Sequence, residues 1–196
     1  IVIAAVITVF GCAWPLKVES IPELKIGSPL AGVEPLTFAF KEFEDARPHK
    51  KTWIGGNKYG VNELHEDQKV SDIVTQAVAN EIKRNGHKVL PSQESDKADV
   101  MIEGIIRRFW VDLVNAGFTV KLTGTVETEI NFTIRQSNEK PLSKIYQGSY
   151  YYETGKLPSS GLWRDVINQT LLNMLKEFTT DEEVLNKLKQ VRRQGL

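Results

Sequence analysis

Cysteine is almost absent from this chain: Cys12 is the only one in 196 residues. A domain with one thiol cannot close a disulfide of its own, so its core must be held by packing alone. Charge of one sign is equally scarce. Lys plus Arg and Asp plus Glu both number 25. The chain lacks the basic excess of a nucleic-acid binder, which places nucleic acid outside its partners. No apolar run approaches the roughly 20 residues that span a bilayer. The three histidines, His49, His65 and His87, never fall at metal-ligand spacing. His65-Glu66-Asp67 is not the helical HExxH pattern, and no GxSxG appears. These gaps lead to the expectation of a chain that is not an enzyme, with no cofactor, no metal and no catalytic residue. The histidines read as solvated loop residues. Gly55 to Gly60 invites a phosphate-loop reading, but its spacing matches neither GxxxxGK[ST] nor GxGxxG.

What is present begins at the first residue. Ile1 to Phe10 is an apolar run of the length of a cleaved signal's hydrophobic region, about 7 to 15 residues. Gly11 and Cys12 follow, and Ala13, Trp14 and Pro15 break the pattern. No charged leader precedes the run and the chain does not open with Met, so it reads as truncated at its start. Greasy segment, small residue, cysteine is the order of parts in a bacterial lipoprotein signal, and Val9-Phe10-Gly11-Cys12 resembles the lipobox of that signal. On this reading residues 1–11 are the signal segment and Cys12 is the lipid-attachment residue. Three other readings of Cys12 stand beside it: a buried free thiol, a disulfide to a second chain, and a nucleophile. Pro15 and the polar residues after it argue against the first, and no local signature supports the last.

Residues 12–35 carry four prolines and two glycines, which forbids a regular helix. They read as a flexible tether that lets the domain stand off the membrane, by roughly 25 Å on average. Residues 36–190 form one domain, ample in length for a single core, and residues 191–196 a basic tail. Lys187, Lys189, Arg192 and Arg193 read as a solvated helix end suited to the helix dipole, or as a contact for anionic lipid or a partner.

Within the domain, Leu36, Phe38 and Phe40 alternate as a first strand. Residues 50–68 read as a long glycine-bearing loop. A helix follows, capped by Ser71, with Ile73, Val74, Ala77, Val78 and Ile82 on one face and Gly86 as its stop. A short strand runs from His87 to Leu90. Residues 99–114 are a long strand whose alternation changes phase between Gly104 and Arg108, which predicts a bulge near Gly104. From Phe118 to Ser137 the even positions are mainly apolar and the odd ones polar, a strand with one wet face. Leu142 to Glu153 returns, completing an antiparallel meander. A helix with a Trp163, Val166, Ile167, Leu171, Met174, Leu175 and Phe178 stripe follows, then a short last helix opened by a Thr180–Glu183 capping box. The fold class is α+β: a mixed, mostly antiparallel sheet of about five strands, with helices packed on one face.

Aromatic residues crowd the later half. Tyr and Trp serve both as core residues and as interface anchors. Tyr151, Trp110 and Trp163 are the candidate partner contacts, Tyr151 because it opposes the parity of Tyr146, Tyr150 and Tyr152. Asp45 and Arg47 pair with each other or with a partner.

Gly11-Cys12, Asp45-Ala46-Arg47, Lys83-Arg84-Asn85-Gly86-His87, Ala98-Asp99-Val100 and Ser149-Tyr150 recur in this order in a known family. Through them, over nearly its whole length, the chain resembles the YajG-like lipoproteins of Gram-negative bacteria. The resemblance implies a palmitate-bearing, periplasm-facing lipoprotein without enzymatic activity. Ala13 after the cysteine looks like an outer-membrane sorting signal, since Asp there favours retention in the inner membrane. The expected function is therefore that of a non-enzymatic binding or accessory module for another cell-envelope component, with an envelope protein as its partner. The alternative is an envelope carrier that binds lipid or glycan. Oligomeric state is left open.

Overall fold

The computed structural model describes residues 14–16, 28–48, 53–57, 63–66, 68–135, 140–156 and 159–193. Cys12, the expected lipid-attachment residue, and the expected signal segment over residues 1–11 lie outside these. The chain builds one mixed sheet of nine strands, seven of them longer than two residues, so the sheet is larger than the five expected. In chain order these are β1 (Trp14–Leu16), β2 (Thr37–Phe40), β3 (Glu44–Asp45), β4 (Trp53–Asn57), β5 (Glu63–Glu66), β6 (Lys88–Val89), β7 (Val100–Ala116), β8 (Thr119–Ile134) and β9 (Leu142–Thr154). Three α-helices accompany them: α1 (Val70–Arg84), α2 (Ser160–Thr180) and α3 (Glu182–Arg193).

The antiparallel meander β7–β8–β9 is the frame. Along the other side of β7 lie β2, β3 and β4, one after another and all parallel to it. Then β6 extends β2, β5 pairs antiparallel with β4, and β1 pairs parallel with β5.

Even residues of β8 point to the helices. Leu122, Val126, Ile130 and Phe132 are buried there against Trp163, Val166, Ile167, Leu171, Met174 and Phe178 of α2. Alternation at period two against a helical stripe is what a sheet with one covered face requires. Ile73, Val74, Ala77, Val78 and Ile82 of α1 join the same core, as expected from their spacing.

Several local expectations are corrected. Residues 50–68 contain strands β4 and β5. Gly55 and Gly56 pair with Val111 and Asp112 of β7, beside a fully buried Ile54. Two adjacent glycines erase the apolar alternation that marks a strand, which is why the segment read as loop. The bulge sits between Ile106 and Arg108, while Gly104 leaves room for the Phe43 ring pressed against it. The N-cap of α1 is Lys69. Ser71 lies inside the helix, and its Oγ donates to Glu42 Oε1 at 3.0 Å. The cap of α3 is Asp181, whose Oδ1 accepts from the backbone N–H of Glu183 at 2.9 Å and of Val184 at 3.2 Å.

The stretch expected as tether enters the sheet at its start and the core at its end. Trp14–Leu16 pairs with β5. A 3₁₀ turn over Pro29–Gly32, capped by Ser28 Oγ, buries Leu30, and Val33 and Leu36 follow it inward. His87 holds this segment down: its Nδ1 accepts from Leu36 N–H at 3.2 Å and its Nε2 lies 3.2 Å from Leu30 O. His87 is thus a buried structural residue, not a solvated one, and burial lowers its pKa below the ordinary histidine value. The expected basic tail also begins late, because α3 runs through Arg193 with Val191 buried.

Candidate interaction face

The odd residues of β8 face away from the helices, and the register shows which neighbours share that side. Thr125 pairs with Trp110 and Ser149, Thr123 with Asp112 and Tyr151, Lys121 with Val114 and Glu153, and Glu129 with Ile105 and Ile145. Trp110 and Tyr151 therefore lie on one face, two strands apart and on either side of Thr123 and Thr125. Tyr151, Val114 and Ile145 are each about half exposed, at 53%, 51% and 50%. Among the described residues no helix covers this part of the sheet, and small apolar islands stand in a polar field.

That field is held by its own contacts. Trp110 Nε1 donates to Asp112 Oδ1 at 3.0 Å, and Arg108 lies 3.6 Å from the other oxygen. Tyr151 OH donates to Glu153 Oε2 at 2.6 Å, and Thr119 Oγ1 to Glu153 Oε1 at 2.9 Å. Those two hydrogen bonds hold the Glu153 carboxyl below its ordinary value, and the same bond raises Tyr151. Glu129 is held down in the same way, first by Arg107 and then by Ser143. At neutral pH the face therefore carries ionised carboxylates and a protonated tyrosine in fixed positions. Groups oriented before contact lose less entropy on binding.

Trp163 belongs elsewhere. It is 3% exposed and packs in the helix–sheet core, so it cannot contact a partner. Its burial follows from its place on the apolar stripe of α2. Tyr146 is also interior. Its hydroxyl donates to Asp181 Oδ2 at 3.1 Å, and burial beside that carboxylate raises its pKa far above the tyrosine range.

The free edge of β9 is blocked at its centre. Glu177 of α2 accepts from Gln147 N–H, and Asn173 Nδ2 donates to Ser149 O at 2.7 Å. A helix laid along an edge prevents pairing with another strand. Beside this edge, Tyr150, Tyr152, Leu162, Asp165, Val166, Asn168 and Gln169 line an open groove of about 330 Å³.

Asp45 and Arg47 pair with each other. Arg47 Nε and Nη2 bind the two Asp45 oxygens at 2.7 and 2.8 Å, and Nη1 donates to Trp53 O at 2.7 Å and Phe109 O at 3.2 Å. This buried clamp ties β3 to β4 and β7. Among the described residues no three His, Cys, Asp or Glu side chains gather as metal ligands, and no helix is long and apolar enough to cross a membrane.

Comparison with known proteins agrees with this architecture. No curated protein matches the chain. Among solved structures, protein XCC0632 from Xanthomonas campestris is similar over 94% of this chain and 98% of its own, with 13% identity and a TM-score of 0.57, a likeness of fold. PelC from Paraburkholderia phytofirmans matches at 10% identity over 76% of this chain and 91% of its own, TM-score 0.41. Lipoprotein GNA1162 from Neisseria meningitidis matches at 10% identity over 67% and 93%, TM-score 0.37. A family model described as uncharacterized lipoprotein matches residues 42–189, from just after β2 through most of the last helix. The chain is therefore a member of that uncharacterized lipoprotein family.

Proposed function

We propose that this lipoprotein is held at the periplasmic side of the outer membrane by an acylated Cys12. There it acts as a non-enzymatic accessory module that binds another envelope protein through the open face of β7, β8 and β9. The observation that carries this reading is the placement of Trp110 and Tyr151 together on that face, with Val114 and Ile145 half exposed beside them. Aromatic anchors surrounded by fixed polar groups are the usual make-up of a binding hot spot and its rim. The blocked centre of the β9 edge favours the face over strand addition as the mode of contact.

The test is photo-cross-linking in intact cells from a benzophenone side chain at position 151, with position 176 on the exposed side of α2 as control. A discrete adduct from 151, absent from 176 and lost on Trp110→Ala, supports the reading. Equal labelling from both positions, or none from 151, removes it. The carrier reading keeps one specific support, the β9–α2 groove, where two tyrosines stand beside Asp165, Asn168 and Gln169 in the manner of a glycan site. A titration with cell-wall glycan fragments that shifts the resonances of these residues would favour it.

A further inference from the structure

Phe118 is fully exposed, at 100%, on the tip of the β7–β8 hairpin. A phenylalanine wholly in water calls for an explanation. The turn is tight: Ala116 pairs with Thr119, and Gly117 takes φ +69° to let the chain reverse. From Leu113 to Leu122 the hairpin end carries no carboxylate and one cation, Lys121. Val114 is half exposed just behind the tip.

The register of the sheet connects this tip to the start of the chain. Trp14 pairs with Leu64, Leu64 with Gly55, and Gly55 with Val111. Three strand steps of about 4.8 Å thus separate Trp14 from Val111. The directions also follow. β1 is parallel to β5, β5 antiparallel to β4, and β4 parallel to β7. Travelling back along β1 toward Cys12 therefore runs the same way as travelling up β7 toward Gly117. Gly117 stands about 20 Å beyond the level of Val111 at the usual strand rise. Cys12 is two residues before Trp14, a link of at most about 7 Å. The hairpin tip thus reaches as far toward the anchoring surface as Cys12 can, and further.

We propose that the β7–β8 tip, from Ala116 to Phe118, is a second membrane contact that seats in the interface of the bilayer holding the chain's N-terminus. This rests on the anchoring proposed above. The apolar tip itself suits the greasy part of the interface, while Lys121, 3.9 Å from Glu153 of β9, stays behind it at the level of the headgroups. Apolar area buried in the interface adds to the retention that the acyl chains give. It also fixes which way the open β7–β8–β9 face looks, because two points of attachment restrict the domain's swing. Lys97, beyond the other end of β7, is directed away from the bilayer.

The experiment uses the full chain produced in a Gram-negative host and reconstituted into protein-free vesicles of phosphatidylethanolamine and phosphatidylglycerol. Amide hydrogen exchange is followed by mass spectrometry in peptides covering residues 114–121 and 93–99. The intact mass of the same sample reports the state of Cys12 separately. An unlipidated chain held by its apolar Ile1–Phe10 run is still anchored just before Trp14, so the tip is tested either way. The expected result is exchange slowed several-fold at 116–119 in vesicles relative to detergent-free Cys12→Ser protein lacking residues 1–11. The 93–99 peptide stays unchanged, and Phe118→Asp restores the fast rate. Because Phe118 is fully exposed, that substitution leaves the fold intact. Tip exchange that vesicles do not slow, or slowing that Phe118→Asp leaves in place, overturns the proposal. Slowing seen only in native membranes, and not in protein-free vesicles, also overturns it and gives the tip to a protein partner.

Discussion

Gly148 in β9 faces the backbone of α2 at a distance that admits no side chain. A Cβ placed there would lie 2.7 Å from Met174 N and 2.9 Å from Met174 Cβ, and closer still to the Thr170 carbonyl oxygen. Carbon contacts are most favourable near 3.5–4.0 Å. The overlap is therefore about 1 Å, against helix backbone that no rotamer change can move. Relief requires α2 to lift from the sheet, which would loosen Trp163, Val166, Ile167, Leu171 and Met174 together. Overpacking usually costs about 1–3 kcal/mol. With backbone as the obstacle, Gly148→Ala should cost about 3 kcal/mol or more. At about 2–4 °C per kcal/mol for a domain of this size, the melting temperature should fall by roughly 6–12 °C. At Gly104 the nearest obstacle to a Cβ is the Phe43 ring, at 2.5–2.7 Å, and a ring can tilt, so Gly104→Ala should cost about 1–2 kcal/mol. Gly32→Ala meets nothing within 4 Å and should change stability by less than about 0.5 kcal/mol. Urea unfolding of the three variants provides the ranking. Gly148→Ala within about 0.5 kcal/mol of the parent would refute the close approach of α2 to β9.

The buried His87 makes stability depend on pH in a defined direction. Its folded pKa lies below the ordinary value, so between the two the unfolded chain binds more protons and stability falls as pH drops from about 7. Urea midpoints at pH 8 and pH 5.5 should differ accordingly, and His87→Phe should abolish the difference. Any loss from Glu129 and Glu153, whose pKa values are lowered, begins only as pH falls toward the carboxylate range. Asp45→Ala removes the carboxylate that holds Arg47 Nε and Nη2 in this buried clamp, so it should lower stability by about 3 kcal/mol in thermal unfolding. Tyr151→Ser and Trp163→Ala should separate contact from core. The first keeps stability within about 0.5 kcal/mol and loses the cellular adduct to a benzophenone at position 149. The second costs about 3–5 kcal/mol by leaving a cavity.

Elements with strong periodicity were legible in the sequence. The meander, α1 and α2 announce themselves because one face of each is buried and the other wet, and Gly86 and Gly117 mark the reversals with positive φ. Illegible parts had other physical causes. β4 is strand because β7 offers it a ladder, and nothing in Gly55-Gly56 carries a pattern of its own. The clamp of Arg47 across β4 and β7 depends on pairing at long sequence separation. Leu30 and Val33 looked like tether residues among prolines; they are buried because His87, far along the chain, holds the segment. For the candidate face, parity singled out Tyr151 correctly as outward. Trp163 was misjudged because aromatic crowding in sequence says nothing about which side of a helix a residue takes.

Anchoring through Cys12 underlies both the proposed function and the second membrane contact. Its most direct test is the intact mass of the protein from a Gram-negative host, beside a Cys12→Ser variant. A mature mass beginning at Cys12 and carrying acyl chains, lost in the variant, is the predicted result. A mass that retains residues 1–11, or that starts at Cys12 with no acyl group, would contradict it.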